Sequence, residues 1–217
     1  MPPNYLNLFK APNLIDYANI NEETLQKIAE SLLMNYVIVI SGSKKEFRIC
    51  EVEFYVNNDS HNDTYTHGDA HQRTFGKWYF HRFPNGSYTY KSGTYKGVDL
   101  TLGNKDTYFG VLIRSICDME TGEVIDGPCK TVNKILELDG DNCDDVKTYM
   151  ENRRCPLNSR TTGNFHIKRK KLPEEMMWKG PRIGLSEKYP EWQAVHYRFL
   201  IKKDKIKKGK KDLVQIN

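Results

Sequence analysis

Between Arg48 and Val56 the chain alternates with period two. Cys50, Val52, Phe54 and Val56 form one apolar face, and Glu51, Glu53 and Tyr55, with Ile49, form the other. That spacing predicts a strand with one face in the core. Two carboxylates and a phenol in a row look like the wall of a cleft, since an ordinary exposed face carries a mixture of small polar and charged residues. Upstream, Asn21 predicts the cap of a helix whose buried stripe is Leu25, Ile28, Ala29, Leu32 and Leu33. Tyr36 to Ile40 reads as a strand joined to the next by Ser41-Gly42-Ser43-Lys44, a hairpin. Residues 57–76 are polar and aperiodic and read as a long loop. Strands are predicted from Lys77 to Phe83, from Ser87 to Tyr90 after a turn at Pro84-Asn85-Gly86, from Val98 to Leu102, and from Tyr108 to Ile116. Gly127-Pro128 opens a helix with Val132, Ile135 and Leu136 inward, and a second helix is expected near 144–153. Residues 156–172 read as basic and irregular. A turn near Tyr189-Pro190 precedes a last strand, Val195 to Ile201.

The pattern predicts an α+β fold: a single compact domain with a curved, mostly antiparallel sheet and helices packed around it. The expected boundaries are a surface segment at 1–20, the domain at 21–201 and a basic tail at 202–217. At 217 residues with 38% hydrophobic content, the chain can bury a substantial core. No apolar run approaches the ~18 residues of a membrane span, and the N-terminus lacks the pattern of a secretory signal. Cys50, Cys117, Cys129, Cys143 and Cys155 are an odd set without a CxxC pair and are read as reduced thiols. An intracellular protein is expected, nuclear in a eukaryote and cytoplasmic in a prokaryote.

Charge sharpens the picture at one end. Residues 202–217 hold seven lysines and two aspartates, which leaves residues 1–201 with no net charge. Such a tail is a tether for nucleic acid, or else a solubilising or import segment.

Chemistry concentrates at a few positions. Glu53, on a rigid strand beside Glu51 and Tyr55, is a candidate general base. Its bland alternative is a surface glutamate paired with lysine. Arg114 ends the apolar run Phe109-Gly110-Val111-Leu112-Ile113 and requires a partner; pairing with Glu53 satisfies both groups and can position a water. Asp99 is a second carboxylate on a central strand. His61, His67, His71 and His81, with Asp63 and Asp69, match no zinc spacing; His67 is a candidate hydrogen-bond donor in a pocket. The aromatics from Trp78 to Tyr95 are either core or a stacking surface for bases. No Walker loop, GxGxxG, GxSxG or HExxH occurs.

Taken in order, several segments resemble the alkyladenine (3-methyladenine) DNA glycosylases of the mammalian type. Glu51-Val52-Glu53-Phe54-Tyr55 is similar to that family's E-T-E-A-Y strand, and Asp63-Thr64-Tyr65-Thr66-His67 to its Asp- and His-containing loop. Gly86-Ser87-Tyr88-Thr89-Tyr90 follows its Y-V-Y strand, and Gly93-Thr94-Tyr95 its G-M-Y segment. Leu112-Ile113-Arg114-Ser115-Ile116 looks like L-L-R-A-L, and Gly127-Pro128-Cys129-Lys130 like G-P-S-K. Arg182-Ile183-Gly184, Glu191-Trp192 and Arg198-Phe199-Leu200-Ile201 resemble the R-V-G, E-W and R-F-Y-V segments. The similarity covers roughly residues 25–201. Two positions depart from the pattern: Ser92 stands where the family has a tyrosine, and Asp99 stands where it has an asparagine.

The resemblance implies a 3-methyladenine-glycosylase-like fold, related in form to the formyltransferase C-terminal domain, with no cofactor or metal. It implies a base-excision repair enzyme, a monomer acting on damaged double-stranded DNA, which extrudes an alkylated purine and hydrolyses its N-glycosidic bond without a lyase step. Glu53 becomes the base, with Arg114 and the backbone near Ile183 holding the water. Tyr55, His67, Tyr90 and Asp99 become pocket residues, and Tyr88, Tyr95, Lys130 and Arg182 DNA-contacting ones. A second reading uses the same scaffold as a non-catalytic nucleic-acid or nucleotide-binding module, with Glu53–Arg114 as a structural ion pair.

Overall fold

The computed structural model describes residues 15–88, 95–139, 146–151 and 165–216. Tyr90 and Ser92 lie outside the described residues, as does most of the expected surface segment at 1–20.

Helix α1, Glu22–Asn35, begins where the side chain of Asn21 accepts from the Thr24 amide at 2.9 Å. Glu22 and Glu23 occupy its first turn, where the helix dipole favours negative charge. Its predicted stripe is buried. Strand β1, Tyr36–Ile40, turns through Lys44, which takes a left-handed φ of 54°, into β2, Lys45–Asn58. The hairpin register runs from Val37 opposite Arg48 to Ile40 opposite Lys45.

The remaining elements are β3 (His61–Asn62), β4 (Phe75–Phe80), β5 (Val98–Leu102), β6 (Tyr108–Asp118), β7 (Val124–Asp126), α2 (Pro128–Asp139), α3 (Val146–Glu151), β8 (Phe165–Arg169), β9 (Met177–Gly180), α4 (Pro190–Gln193), β10 (Arg198–Leu200) and β11 (Val214–Ile216). Among the described residues they build one eleven-stranded sheet with the order β11-β9-β10-β2-β6-β5-β4. β1 joins β2 to β8, and β7 lies beside β6. Every pairing described is antiparallel. This is an α+β domain built on an open antiparallel sheet.

β2 lies at its centre. One edge pairs with β6 along most of its length, and the other is shared by β1 and β10. Val52, Phe54 and Val56 point into the core, where Phe54 meets Phe109 and Phe199 edge-to-face. Glu51 and Glu53 therefore project from a strand fixed on both edges.

Three segments differ from the sequence expectation. Part of the basic stretch 156–172 is strand β8, because Phe165 and Ile167 supply a short alternation that pairs with β1. The long loop at 57–76 contains β3 and a 3₁₀ turn at Ala70–Arg73, capped by the Asp69 side chain. The tail from residue 202 is folded against the domain. Ile206 is fully buried, β11 pairs with β9, and the carbonyls of Lys208 and Gly209 accept from Arg198, each at 2.9 Å. One apolar side chain and one buried guanidinium hold down a segment whose composition reads as solvated.

Candidate active site

The register between β2 and β6 shifts twice. Ile49 faces Ile116, Glu51 faces Ser115, and Val52 faces Ile113. Cys50 is thus an extra residue on one strand and Arg114 on the other, a pair of compensating bulges. Strict alternation breaks at the first, so Ile49 and Cys50 both join the core. The second aims Arg114 at the two glutamates.

Arg114 donates from Nε to Glu51 Oε1 and from Nη1 to Glu53 Oε2, both at 3.2 Å. Glu51 also accepts from Arg198 Nε at 2.6 Å and from Ser115 Oγ at 2.5 Å. Two guanidinium groups thus balance two buried carboxylates, and breaking one pair leaves an uncompensated charge. Glu53 is bound differently. Its Oε1 accepts from the Ile183 amide at 2.7 Å, and its Oε2 accepts from the Tyr55 hydroxyl at 2.9 Å as well as from Arg114. An ionised carboxylate offers about four acceptor positions, so among the described residues Glu53 retains one, on Oε1. Burial and the Glu53 charge push the Tyr55 phenol well above its ordinary pKa, so it stays a neutral donor.

Tyr55, Arg114 and Ile183 line a cavity of about 250 Å³. Glu53 is fully buried and lies behind these three groups. Arg182 covers one face of the Tyr55 ring, its guanidinium carbon 4.6 Å from the centroid. The resemblance implied a DNA-contacting Arg182; the structure buries it. It donates to both oxygens of Asp63, at 2.5 and 3.0 Å, and to the carbonyls of Phe54 and Trp192. Its role here is to brace the tyrosine wall and the 63–67 turn.

Asp99 lies on β5, where Val98, Leu100 and Leu102 face the core and Asp99 and Thr101 take the other side. It forms the cavity floor and is 1% exposed. Oδ1 lies 2.7 Å from His81 Nε2, and Oδ2 accepts from Gln72 Nε2 at 3.1 Å. Two glycines make this fit. A Cβ on Gly110 would collide with Asp99 and Gln72, and one on Gly97 would lie 2.6 Å from His81 Nδ1.

His67 lies between two phenols, Nδ1 at 3.4 Å from Tyr79 Oη and Nε2 at 3.3 Å from Tyr95 Oη. Burial of its ring and the neighbouring His81 lower its pKa to about 4, so it is neutral near pH 7 with one donor and one acceptor nitrogen. Tyr95, which lines the cavity, stacks on Phe83 at 4.6 Å, and both keep more than a third of their surface exposed. Lys130 is exposed in the first turn of α2, directly after Pro128 and Cys129, which line the cavity. Tyr88 is half-buried and packs partly against the core.

The fold thus brings Arg114, Tyr55, His67 and Asp99 around one cavity, with Glu53 behind its wall. Gln72, His81 and Lys96 also line it; the sequence took up His81 only among the histidines that match no zinc spacing and assigned none of the three to the pocket. A buried aspartate on a central strand was the available signal for the first two, since it demands donors. Of the aromatics that read as core or as a stacking surface, Trp78 and Phe80 are core: Trp78 stacks on Phe165 at 4.1 Å and Phe80 lies tilted against it. Among the described residues no group of three or more His, Cys, Asp or Glu converges as a metal site, and no helix is long and apolar enough to cross a membrane.

A family model for methylpurine-DNA glycosylase matches residues 19–205. The chain is also 43% identical over 216 aligned positions to an uncharacterized protein of Acanthamoeba polyphaga mimivirus, covering 93% of this chain and 97% of that one.

Proposed function

The chain belongs to the methylpurine-DNA glycosylase family, and from that premise we propose that it hydrolyses the N-glycosidic bond of alkylated purines in double-stranded DNA with Glu53 as general base. The observation that carries this reading is the clamp on Glu53: an amide, a phenol and a guanidinium fix a carboxylate behind an aromatic cavity and leave one acceptor position on Oε1.

The extruded base enters between Tyr55 and the His67–Tyr95 side, above Asp99. Its sugar lies toward Glu53. A water accepted at Oε1 gives one proton to Glu53 as its oxygen bonds to C1′. The C–N bond breaks with its electron pair going to the base, and the cationic alkylated purine leaves neutral. Such a leaving group requires no acid. Before attack, the carboxylate stabilises positive charge developing on the sugar. Aromatic walls favour a cationic base over its neutral parent, which selects damaged purines. Lys130 and the amide end of α2 are placed for a phosphate beside the cavity.

Single-turnover base release from methylated duplex DNA tests the proposal. Glu53→Gln is expected to slow release by about 10²–10⁴-fold with DNA binding retained. Full burial of Glu53 favours the alternative, a structural ion pair in a binding module. Under that alternative the wild type binds DNA and releases no base from any damaged substrate, which sinks the hydrolase. Lys96 lines the cavity with its amine lowered by burial, so the direct-water step has its own check. Borohydride is expected to trap no covalent adduct; an adduct at Lys96 would replace water attack by an imine route.

A further inference from the structure

The lysine-rich segment is pinned against the cavity wall at two points, past the residues that the family model matches. The Lys207 amide donates to Asp126 Oδ2 at 3.0 Å. Asp126 directly precedes Gly127-Pro128-Cys129, and Pro128 and Cys129 line the cavity. Two positions on, the Gly209 carbonyl accepts from Arg198. Gly209 takes a left-handed φ of 61°, and a Cβ there would lie 2.6 Å from Arg198 Nη1 and 2.9 Å from Ile183 Cδ1. Ile183 also lines the cavity, and its amide holds Glu53. The backbone at 207–209 thus spans from the turn before Pro128 to Ile183, as a lip between two parts of the cavity wall. Its charge has no internal counterweight. Lys202 pairs with Glu175, and Lys203 lies over Trp178. Lys205, Lys207, Lys208 and Lys211 are exposed and form no ion pair among the described residues. A free tail relieves such repulsion by extending; a docked segment keeps its charges together until an anion neutralises them.

We propose that this lip is a phosphate clamp: Lys207 and Lys208, with Lys130 on the far side of the Asp126–Cys129 turn, hold the DNA backbone phosphates that flank the extruded nucleotide. This rests on the proposed use of the cavity as a pocket for a base in DNA. A lysine presents its ammonium as a point charge on a flexible stem, so it neutralises a phosphate and reads no sequence. The clamp therefore positions any duplex over the cavity and leaves the choice of base to the pocket. The anchors of the lip are main-chain contacts at 207, 208 and 209. Removing the ammonium groups thus takes away the charge and keeps the lip in place.

The test uses the full chain and a duplex with a non-cleavable abasic-site analogue, so that binding is read without chemistry. Lys207→Gln with Lys208→Gln is expected to lower the slope of log affinity against log salt by about two, with the urea midpoint unchanged. Arg169→Gln with Lys171→Gln removes two exposed charges at the end of β8 and is expected to leave the slope as it is. A double-mutant cycle locates the contact. Replacing a phosphate beside the analogue by a neutral methylphosphonate is expected to weaken wild-type binding by about 3- to 10-fold and to leave the lysine variant unaffected. A methylphosphonate one helical turn away is expected to act equally on both proteins. Equal weakening of both by the flanking methylphosphonate, or a slope lowered as much by the β8 variant, overturns the clamp even where Glu53-dependent base release is found. Coupling to the flanking phosphate in a protein that releases no base removes the hydrolase and leaves the clamp standing.

Discussion

At the scale of single residues, two glutamates two positions apart have different roles because of what surrounds them. Their alternation on one face is visible in the sequence. What separates them is tertiary: a second guanidinium, Arg198, and the Ser115 hydroxyl hold Glu51, whereas an amide and a phenol on the cavity wall hold Glu53. Arg182 shows how burial reverses a surface reading. Its sequence context gives no hint of Asp63, 119 positions away. Arg182→Met is expected to destabilise the fold by about 3–5 kcal/mol, because Asp63 is left buried and unpaired; urea denaturation measures this, and a loss below about 1 kcal/mol would contradict the bracing role. His67 carries a pH signature. Its pKa falls from about 6.5 to about 4 on folding, so the unfolded chain binds more protons between those values. Its contribution to stability is complete above pH 6.5 and is lost as pH falls toward 4. The outer edge of the residue is exposed, so the stability change is smaller than the shift alone implies. A histidine titration by NMR is expected to place His67 well below the ordinary range.

At the scale of elements, the sequence marks the helix at 22–35 and the strands at 36–40, 98–102 and 108–116 closely, since each has an uninterrupted period. The sheet's short strands, such as Val124–Asp126 and Met177–Gly180, carry too few residues for a period and exist because a neighbouring edge accepts them. The bulges at Cys50 and Arg114 are also invisible to periodicity, yet they aim the Arg114 guanidinium at Glu51 and Glu53. Gly110 is an element-level requirement: β6 must pass close under Asp99 and Gln72. Gly110→Ala is expected to cost about 1–3 kcal/mol through overpacking and to weaken base binding while far-UV circular dichroism keeps its shape. Base affinity equal to that of the wild type would show that the floor adapts freely.

At the scale of the whole molecule, the lysine-rich C-terminal segment closes the sheet. Truncation after Ile201 strips β11 from β9, exposes the site of Ile206 and deprives Arg198 of two carbonyls. Loss of the buried isoleucine alone is worth about 1.5–3 kcal/mol. The truncated chain is expected to unfold at markedly lower urea and to lose base release with it. Equal stability would return this segment to the status of a free tether. Seven lysines in one segment favour a polyanion, so DNA binding by the intact chain is expected to weaken as salt rises.

By itself the sequence determined the α+β class, the central strand with its acidic face, and Glu53, Arg114 and Asp99 as groups needing explanation. These follow from local period and from the cost of burying charge, both readable along the chain. Only the tertiary structure decided which charge meets which. It put Arg182 behind a wall, folded the lysine-rich tail onto Arg198, and set His81 and Gln72 on Asp99. Those outcomes depend on contacts between residues far apart in sequence, where the balance of desolvation against pairing is set by geometry.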